Sequence, residues 1–248
     1  MNKIIFFLSF FNTLLIGIEI IDYTKLKLIW EDNFESKKLN EKNWSHRYLG
    51  KRMEGYNSSK NISLENGFLK IKITKLNDKI YTAMIGTENK FETKYGYFEV
   101  KVKLPKRKGS QSAFWLQSPT YGNFLNDLEK SGAEIDIFEF INDKKQVYHT
   151  IHYNGYGKDH KSMQSKTKIK DNTWHKFALY WDENYYKFFV DDKLVWETTE
   201  GVSKTKQYII LSIEATKWAK SKNYVTTNFE DYILIDYVKV YKQRNLNE

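Results

Sequence analysis

The sequence contains no cysteine, only two prolines and only four arginines among its 248 residues. Without cysteine the chain cannot form a disulfide framework, a thiolate metal site or a cysteine nucleophile. Pro105 and Pro119 both lie at the ends of apolar segments, where a missing backbone donor costs little. A protein without disulfides or a thiolate metal site must depend on its apolar core for stability.

The net charge of +9 suggests a nucleic-acid partner, but the scarcity of arginine argues against one. Nearly all basic residues are lysines, spread over the whole chain. The planar guanidinium of arginine is the usual contact to phosphate, and a lysine excess does not replace it. We therefore expect no nucleic-acid partner.

Only one apolar run is long enough to suggest targeting, and it extends from Ile4 to Ile18 after Lys3. A membrane span needs about 20 apolar residues, so the run better fits the core of a signal peptide. The cleavage site after it is poorly defined. We predict a signal peptide or N-terminal anchor over residues 1–20 and one folded domain over residues 21–248. We expect the mature protein to be secreted or extracytoplasmic and not bound to a membrane.

The remaining chain has ample material for a core, with 41% hydrophobic and 17% aromatic residues. Short segments with period-two alternation recur to the end, as in FEVKVKL at residues 98–104, and Gly, Asn or Asp separates them. The Asp191-Asp192 pair predicts the turn of a hairpin. No segment sustains a helical repeat. We predict one all-β domain, a sandwich or a barrel of antiparallel strands.

The segment SGAEIDIFEF at residues 131–140 carries three acids, and the last is out of step. On a regular strand Glu134 and Asp136 share one face, but Glu139 falls on the opposite, apolar face. A bare charge in the core would cost several kcal/mol. A one-residue β-bulge at positions 137–138 resolves the conflict, because it returns Glu139 to the face of the other acids.

With that bulge the two glutamates lie about 13 Å apart along the strand, and their side chains can lean together. Glycoside hydrolysis with retention requires two carboxyl groups about 5–5.5 Å apart. A solvated acidic edge or a calcium-binding cluster are the alternatives. Calcium loops are usually built from Gly, Asn and Asp, whereas bulky apolar residues separate these acids, so a cleft is favoured.

The motif GAEIDIFEF resembles the Glu-x-Asp-x-x-Glu signature of glycoside hydrolase family 16. This bulged form is typical of laminarinases and of agarase and carrageenase relatives; lichenases and xyloglucan transglycosylases have an unbulged form. The resemblance spans about residues 28–242. Further segments that carry it are LIWEDNFE, KYGYFEVKVKLP, SAFWLQS, TWHKFALYW and IDYVKVYK.

The resemblance implies a concanavalin-like β-jelly-roll sandwich of two antiparallel sheets with a concave substrate cleft. It implies Glu134 as the nucleophile, Asp136 as an assisting carboxylate that hydrogen-bonds the nucleophile, and Glu139 as the general acid/base. It also implies a polysaccharide substrate, no required cofactor and a monomeric enzyme.

Four further residues are expected to bind substrate. By resemblance Trp115 floors the cleft, Glu99 faces the sugar and Trp218 offers a second stacking surface. His152 shares a strand face near the acids and is expected to contact substrate or tune Glu139. His149 points the opposite way and receives no role.

A structural calcium ion is also implied, with Glu31, Gly67 and Asp236 as the positions concerned. Two departures from the family pattern affect the choice of glycan. The Trp-Pro pair that often precedes the first glutamate is absent, and SIEATKWAK at residues 212–220 replaces the usual Gly-Gly-x-Trp segment.

The function predicted from the sequence is therefore an exported, retaining endo-β-glycosidase that acts on a β-1,3-glucan of laminarin type. The alternatives are an endo-β-galactanase-type hydrolase of agar, carrageenan or a mucin-like glycan, and a non-catalytic carbohydrate-binding jelly roll. Transglycosylation through the same glycosyl-enzyme remains open.

Overall fold

The computed structural model of the chain describes residues 21–226 and 229–244. The signal peptide or anchor predicted for residues 1–20 lies outside the described residues. Within the described part the strands are β1 (Leu26–Asp32), β2 (Ser45–His46), β3 (Gly50–Arg52), β4 (Gly55–Asn57), β5 (Ile62–Glu65), β6 (Phe68–Leu76), β7 (Lys79–Gly86), β8 (Glu92–Thr93), β9 (Gly96–Lys103), β10 (Gln111–Gln117), β11 (Glu134–Ile141), β12 (Gln146–Tyr153), β13 (Lys161–Lys168), β14 (Trp174–Trp181), β15 (Tyr186–Val190), β16 (Lys193–Thr198), β17 (Gln207–Glu214) and β18 (Glu230–Gln243). The helices are single turns: 3₁₀ turns at Tyr23–Lys25, Ser59–Asn61 and Asn142–Lys144, and α1 at Ser221–Tyr224.

These strands form two sheets. In sheet A the order is β16-β15-β14-β9-β18, with β1 and β6 beside different halves of the long β18. In sheet B the order is β13-β12-β11-β10-β17-β7. Strand β7 belongs to both sheets, since it pairs first with β6 and then with β17. Except for β4 beside β7, the pairings are antiparallel. The all-β sandwich predicted from the alternating segments is confirmed.

The core lies between the two sheets and follows from the alternation of apolar residues. Phe98, Val100 and Val102 of β9 are fully buried there, and so are Ile135 and Ile151 of sheet B. The second face of sheet B is therefore free to carry polar side chains. The predicted hairpin also forms, because Asp191 and Asp192 take positive φ values of 48° and 66° between β15 and β16.

Within residues 21–226 and 229–244, no helix has the length and apolar character to span a bilayer.

Candidate active site

Strand β11 carries the three acids and contains a β-bulge. On β12, Thr150 lies opposite Asp136 and Tyr148 lies opposite Glu139, so residues 137–138 together face one residue. The pairing with β10 shows the same shift. The bulge predicted from the spacing of the acids is confirmed, at the predicted place.

The bulge puts the three acids on the outer face of sheet B. Glu134, Asp136 and Glu139 line a cavity of ≈ 380 Å³. The apolar residues between and after them lie in the core: Ile135, Ile137, Phe138 and Phe140. Neighbouring cavities of ≈ 590 Å³ and ≈ 140 Å³ extend this space past Gln117 and past Gln111. The result is a groove open at both ends of the acid cluster.

A buried histidine supports the main chain at the bulge. His149 Nδ1 lies 2.7 Å from the carbonyl oxygen of Ile137, and Nε2 lies 3.1 Å from Thr167 Oγ1. Because a carbonyl only accepts, Nδ1 carries the proton and Nε2 accepts from the hydroxyl. Burial lowers the pKa of His149 to about 4, so the ring is neutral near pH 7. His149, which received no role above, thus satisfies a carbonyl group that the bulge displaces.

Two side chains donate hydrogen bonds to Glu134. Gln117 Nε2 lies 2.7 Å from Oε2, and the Tyr156 hydroxyl donates to the same oxygen. Burial is the largest effect and leaves the pKa of Glu134 above its ordinary value, although the hydrogen bond from Tyr156, the nearby His152 and the hydrogen bond from Gln117 oppose the rise. The hydrogen bond to this carboxylate was expected from Asp136. The structure supplies it from Gln117 and Tyr156 instead.

Asp136 is buried behind Glu134 and contacts a histidine. His152 Nε2 lies 3.3 Å from Asp136 Oδ2, and its Nδ1 lies 2.9 Å from His160 Nε2. Burial raises the pKa of Asp136 well above its ordinary value, and the charges of Glu134 and Glu214 raise it further. Glu134, Asp136 and His152 offer three ligand atoms within 4.8 Å of one another, the only group of this kind among the described residues.

Glu139 has the environment of a proton donor. Burial raises its pKa well above the ordinary value and the charge of Asp136 raises it further, while a hydrogen bond from Gln111 opposes this rise. A carboxyl group with a raised pKa keeps its proton at higher pH and can give it to a leaving oxygen. The hydrogen bonds on Glu134 favour its ionised form, so the two glutamates are suited to different tasks.

The Asp136→Asn variant is expected to be more stable and less active than the wild type at pH 7. Because the folded-state pKa of Asp136 is raised, its stabilising contribution is complete below the unfolded value of about 4 and is lost as the pH rises. Asparagine cannot ionise and avoids this loss. We expect a melting temperature about 2–4 °C higher at pH 7, with the difference closing towards pH 4. Melting curves between these pH values test this, and a lower melting temperature for the variant at pH 7 would contradict it.

A fourth carboxylate faces the cavity and escaped sequence analysis. Glu214 ends β17, is 9% exposed, and its Oε1 lies 2.5 Å from Arg52 Nε. Its charge raises the pKa of Glu134 and of Asp136. The departure SIEATKWAK was the available signal, since this glutamate lies within it.

Two tryptophans predicted to bind substrate lie along the groove. Trp115 is 7% exposed and lines the central cavity, and its Nε1 lies 3.3 Å from Ser212 Oγ. Trp218 is 65% exposed and lines the ≈ 140 Å³ cavity together with Glu139 and His152. Both positions are compatible with stacking on a sugar, and both binding roles remain predictions.

Glu99 does not reach the groove, and the prediction that it faces the sugar is wrong. Alternation along β9 places its neighbours Phe98 and Val100 in the core, so Glu99 points out of sheet A, away from sheet B. It is 3% exposed there and accepts hydrogen bonds from Tyr23 and Tyr237.

The Glu99→Gln variant is expected to keep the wild-type turnover and lose stability. A buried carboxylate with several donors is replaced by an amide that cannot accept as many hydrogen bonds, which costs about 1–3 kcal/mol of unfolding free energy. Urea unfolding and a turnover assay on the same preparation measure both effects. A tenfold fall in turnover at unchanged fold would show that this residue does act on the substrate.

The positions implied for calcium lie on the outer side of sheet A or near its edge. Asp236 Oδ2 lies 2.7 Å from Lys101 Nζ, and Glu31 Oε2 lies 3.9 Å from Lys239 Nζ. Gly67 has a φ of 78° in the turn before β6. Both acids thus have a lysine partner, and calcium binding stays a prediction.

Comparison with known proteins gives one matching family. The sequence model described as glycosyl hydrolases family 16 matches residues 49–239. Glucan endo-1,3-beta-glucosidase A1 of Niallia circulans is 26% identical over 210 residues, which cover 70% of this chain and 30% of that protein. Beta-porphyranase B of Zobellia galactanivorans is 29% identical over 219 residues, covering 75% of this chain and 73% of that protein.

Solved structures show the same architecture. The laminarinase catalytic domain of Thermotoga maritima superposes with a TM-score of 0.74 at 26% sequence identity, covering 89% of this chain and all of that one. The jelly-roll arrangement of the two sheets is thereby confirmed. The family model's match over residues 49–239 includes strand β11, which carries the three acids.

Proposed function

Since the chain belongs to glycosyl hydrolases family 16 and is an endo-acting glycoside hydrolase, we propose that it cleaves a β-linked polysaccharide with net retention. In the first step a carboxylate oxygen of Glu134 bonds to the anomeric carbon while the glycosidic C–O bond breaks. Glu139 gives its proton to the departing oxygen. In the second step Glu139 takes a proton from water, the water oxygen bonds to the anomeric carbon, and the ester to Glu134 breaks.

The shared face of Glu134 and Glu139 across the bulge supports this proposal. Glu134 receives two hydrogen bonds that favour a carboxylate, as a nucleophile requires. Glu139 is half-buried beside two other acids, and its raised pKa favours the protonated form that a general acid requires. Enzymes of the family need no cofactor for this reaction.

The glycan that we propose first is a β-1,3-glucan of laminarin type. The glucan endo-1,3-beta-glucosidase of Niallia circulans and the Thermotoga maritima laminarinase both resemble the chain, each at 26% identity. The open groove suits attack within a long chain.

A β-galactan, neutral or sulfated, is the second candidate. Two lysines lie at the side of the groove next to Glu139: Lys144 Nζ is 5.4 Å from the ring centres of Tyr148 and Trp218, and Lys166 Nζ is 5.3 Å from that of Tyr148. The nearby Asp143 is bound by other lysines. Two ammonium groups on aromatic rings would suit a sulfated sugar, and beta-porphyranase B is among the similar proteins.

Purified enzyme should be incubated with laminarin, lichenan, agarose, carrageenan, porphyran and mucin glycans, with the products sized. Proton NMR of the first products should show the β-anomer, because two displacements restore the configuration. Cleavage of laminarin supports the first candidate and cleavage of porphyran or agarose the second. An α-anomer as the first product would contradict retention, and an intact panel would contradict both choices of glycan.

We also propose that the protein is exported, with residues 1–20 as the signal, and acts as a monomer. N-terminal sequencing of protein from the medium of an expressing culture and gel filtration test these two points. A product that keeps residues 1–20 in the cell pellet would contradict export.

A further inference from the structure

A directed series of hydrogen bonds leads from a buried arginine to the Glu134 carboxylate. Arg47 Nη1 lies 2.6 Å from Glu88 Oε2, and its Nη2 lies 3.0 Å from the Tyr208 hydroxyl. The same hydroxyl lies 2.7 Å from Gln117 Oε1, and Gln117 Nε2 lies 2.7 Å from Glu134 Oε2. These five residues come from five separate parts of the chain and meet where β10 and β17 run side by side.

The chemistry of each group fixes the direction of the series. A guanidinium has donors and no acceptor, so the Tyr208 oxygen must accept from Arg47. The single proton of that hydroxyl is then available for Gln117 Oε1. The carbonyl end of the Gln117 amide is thereby held towards Tyr208, and its amino end must face Glu134. If the Gln117 amide were turned over, its carbonyl oxygen would face the Glu134 carboxylate, and both groups are acceptors. Its amino group would face the Tyr208 hydroxyl proton, and both groups are donors.

Because the four side chains from Arg47 to Glu134 are buried, breaking any hydrogen bond of the series costs stability. The Arg47 side chain is 7% exposed, Tyr208 2%, Gln117 9% and Glu134 8%. An unpaired polar group at such a site loses its hydrogen bond without regaining one from water. The Arg47 guanidinium also lies over the ring of Tyr208, with Cζ 4.7 Å from the ring centre. This cation–π contact restrains both side chains.

We propose that Arg47, Tyr208 and Gln117 are positioning residues that fix the nucleophile, on the premise of the proposed function. Both hydrogen bonds that described residues give to Glu134 end on Oε2. The Oε1 atom is therefore the one that bonds to the anomeric carbon. The series of hydrogen bonds fixes the orientation of the Glu134 carboxylate plane, so that Oε1 approaches the anomeric carbon at a constant angle.

Two variants test the series at different distances from the acid. Gln117→Leu removes the donor itself, and kcat is expected to fall about 10- to 100-fold, the value of a hydrogen bond to a charged group. Tyr208→Phe leaves the donor in place but releases its orientation, and kcat is expected to fall about 5- to 10-fold with KM nearly unchanged. Turnover is measured on the glycan that the wild type depolymerises.

The pH profile separates positioning from a loss of packing. A donor that is lost (Gln117→Leu) or no longer held in place (Tyr208→Phe) stabilises the ionised carboxylate less and so raises the pKa of Glu134, and the acidic limb of kcat/KM should move to higher pH in both variants. The matched control is Tyr186→Phe. That hydroxyl is equally buried but bonds only the main chain at residues 201 and 203. The Tyr186→Phe substitution should lower the melting temperature without shifting the pH profile of kcat/KM.

The proposal is overturned if Tyr208→Phe has wild-type kcat and an unmoved acidic limb, or if Tyr186→Phe reproduces its profile. Either result would still leave an active wild-type enzyme. A wild type without turnover on any glycan would instead count against the proposed function. The two failures are therefore distinguishable in one set of assays.

Discussion

Replacement of Glu134 by alanine is expected to reduce turnover by on the order of 10⁴-fold or more, the largest effect of any substitution in the chain. The variant has no group that can bond to the anomeric carbon, so the first displacement stops. Added azide should restore part of the rate, because it fits the space left by the carboxylate. The product should then be the α-glycosyl azide, since only one displacement takes place. Turnover and NMR of the azide product measure this result.

The matched control for this variant is a substitution of another buried glutamate, Glu99. Glu134→Gln should be almost inactive and should still bind the glycan, whereas Glu99→Gln, on the far side of the sandwich, should turn over normally. A Glu134→Gln variant that retains more than a tenth of wild-type turnover would remove Glu134 from the proposed role. A β-configured azide would mean that another residue is the nucleophile.

Replacement of Glu139 by alanine is expected to lower turnover on polysaccharide about 10²- to 10⁴-fold, the usual contribution of general acid catalysis. A sugar hydroxyl is a poor leaving group and needs the proton that Glu139 supplies. An aryl glycoside with an acidic phenol does not, so its glycosyl-enzyme should still form rapidly. The basic limb of the pH profile should disappear as well, because that limb reports the ionisation of the acid. Steady-state and burst kinetics on the two substrate types measure the contrast.

Azide again identifies the step that fails. In Glu139→Ala it should attack the glycosyl-enzyme and yield the β-glycosyl azide, the opposite configuration to that expected from Glu134→Ala. Equal losses on polysaccharide and on the activated aryl glycoside would show that Glu139 has a structural role. A retained basic limb would also count against Glu139 as the acid.

The bulge and the face of the acids could be predicted because they depend on local rules. Alternation assigns each residue of a strand to one of two faces, and an uncompensated charge in the core is too costly to occur. The spacing of Glu134, Asp136 and Glu139 therefore required an extra residue in β11. The all-β class followed from the recurrence of alternating segments in the same way.

The error at Glu99 shows where these rules end. Alternation predicted correctly that Glu99 opposes Phe98 and Val100, but it does not say which sheet a strand joins. Both sheets have one face on the core and one face outward. The outward face of sheet A carries Glu99, whereas the groove is on the outward face of sheet B.

Gln117 and Tyr156 were missed for a different reason. Gln117 lies at the end of β10, and Tyr156 lies in the loop between β12 and β13, so neither stands beside the acids in sequence. Loop 118–133 and loop 154–160 contact each other through Tyr121 and Tyr156, whose ring centres are 5.0 Å apart. Such long-range contacts carry no periodic signal, and only the folded chain reveals which donors meet Glu134.

The register shift in β11 also determines which single-codon deletions in this strand keep the three acids on one face. Loss of one codon at position 137 or 138 would give a regular strand with the acids spaced Glu-x-Asp-x-Glu, still on one face and with Phe140 still inward. Loss of the codon for Ile135 would instead turn Asp136 into the interior. A lineage could therefore pass between the two spacings of the motif in a single deletion, with the loss of one buried apolar side chain.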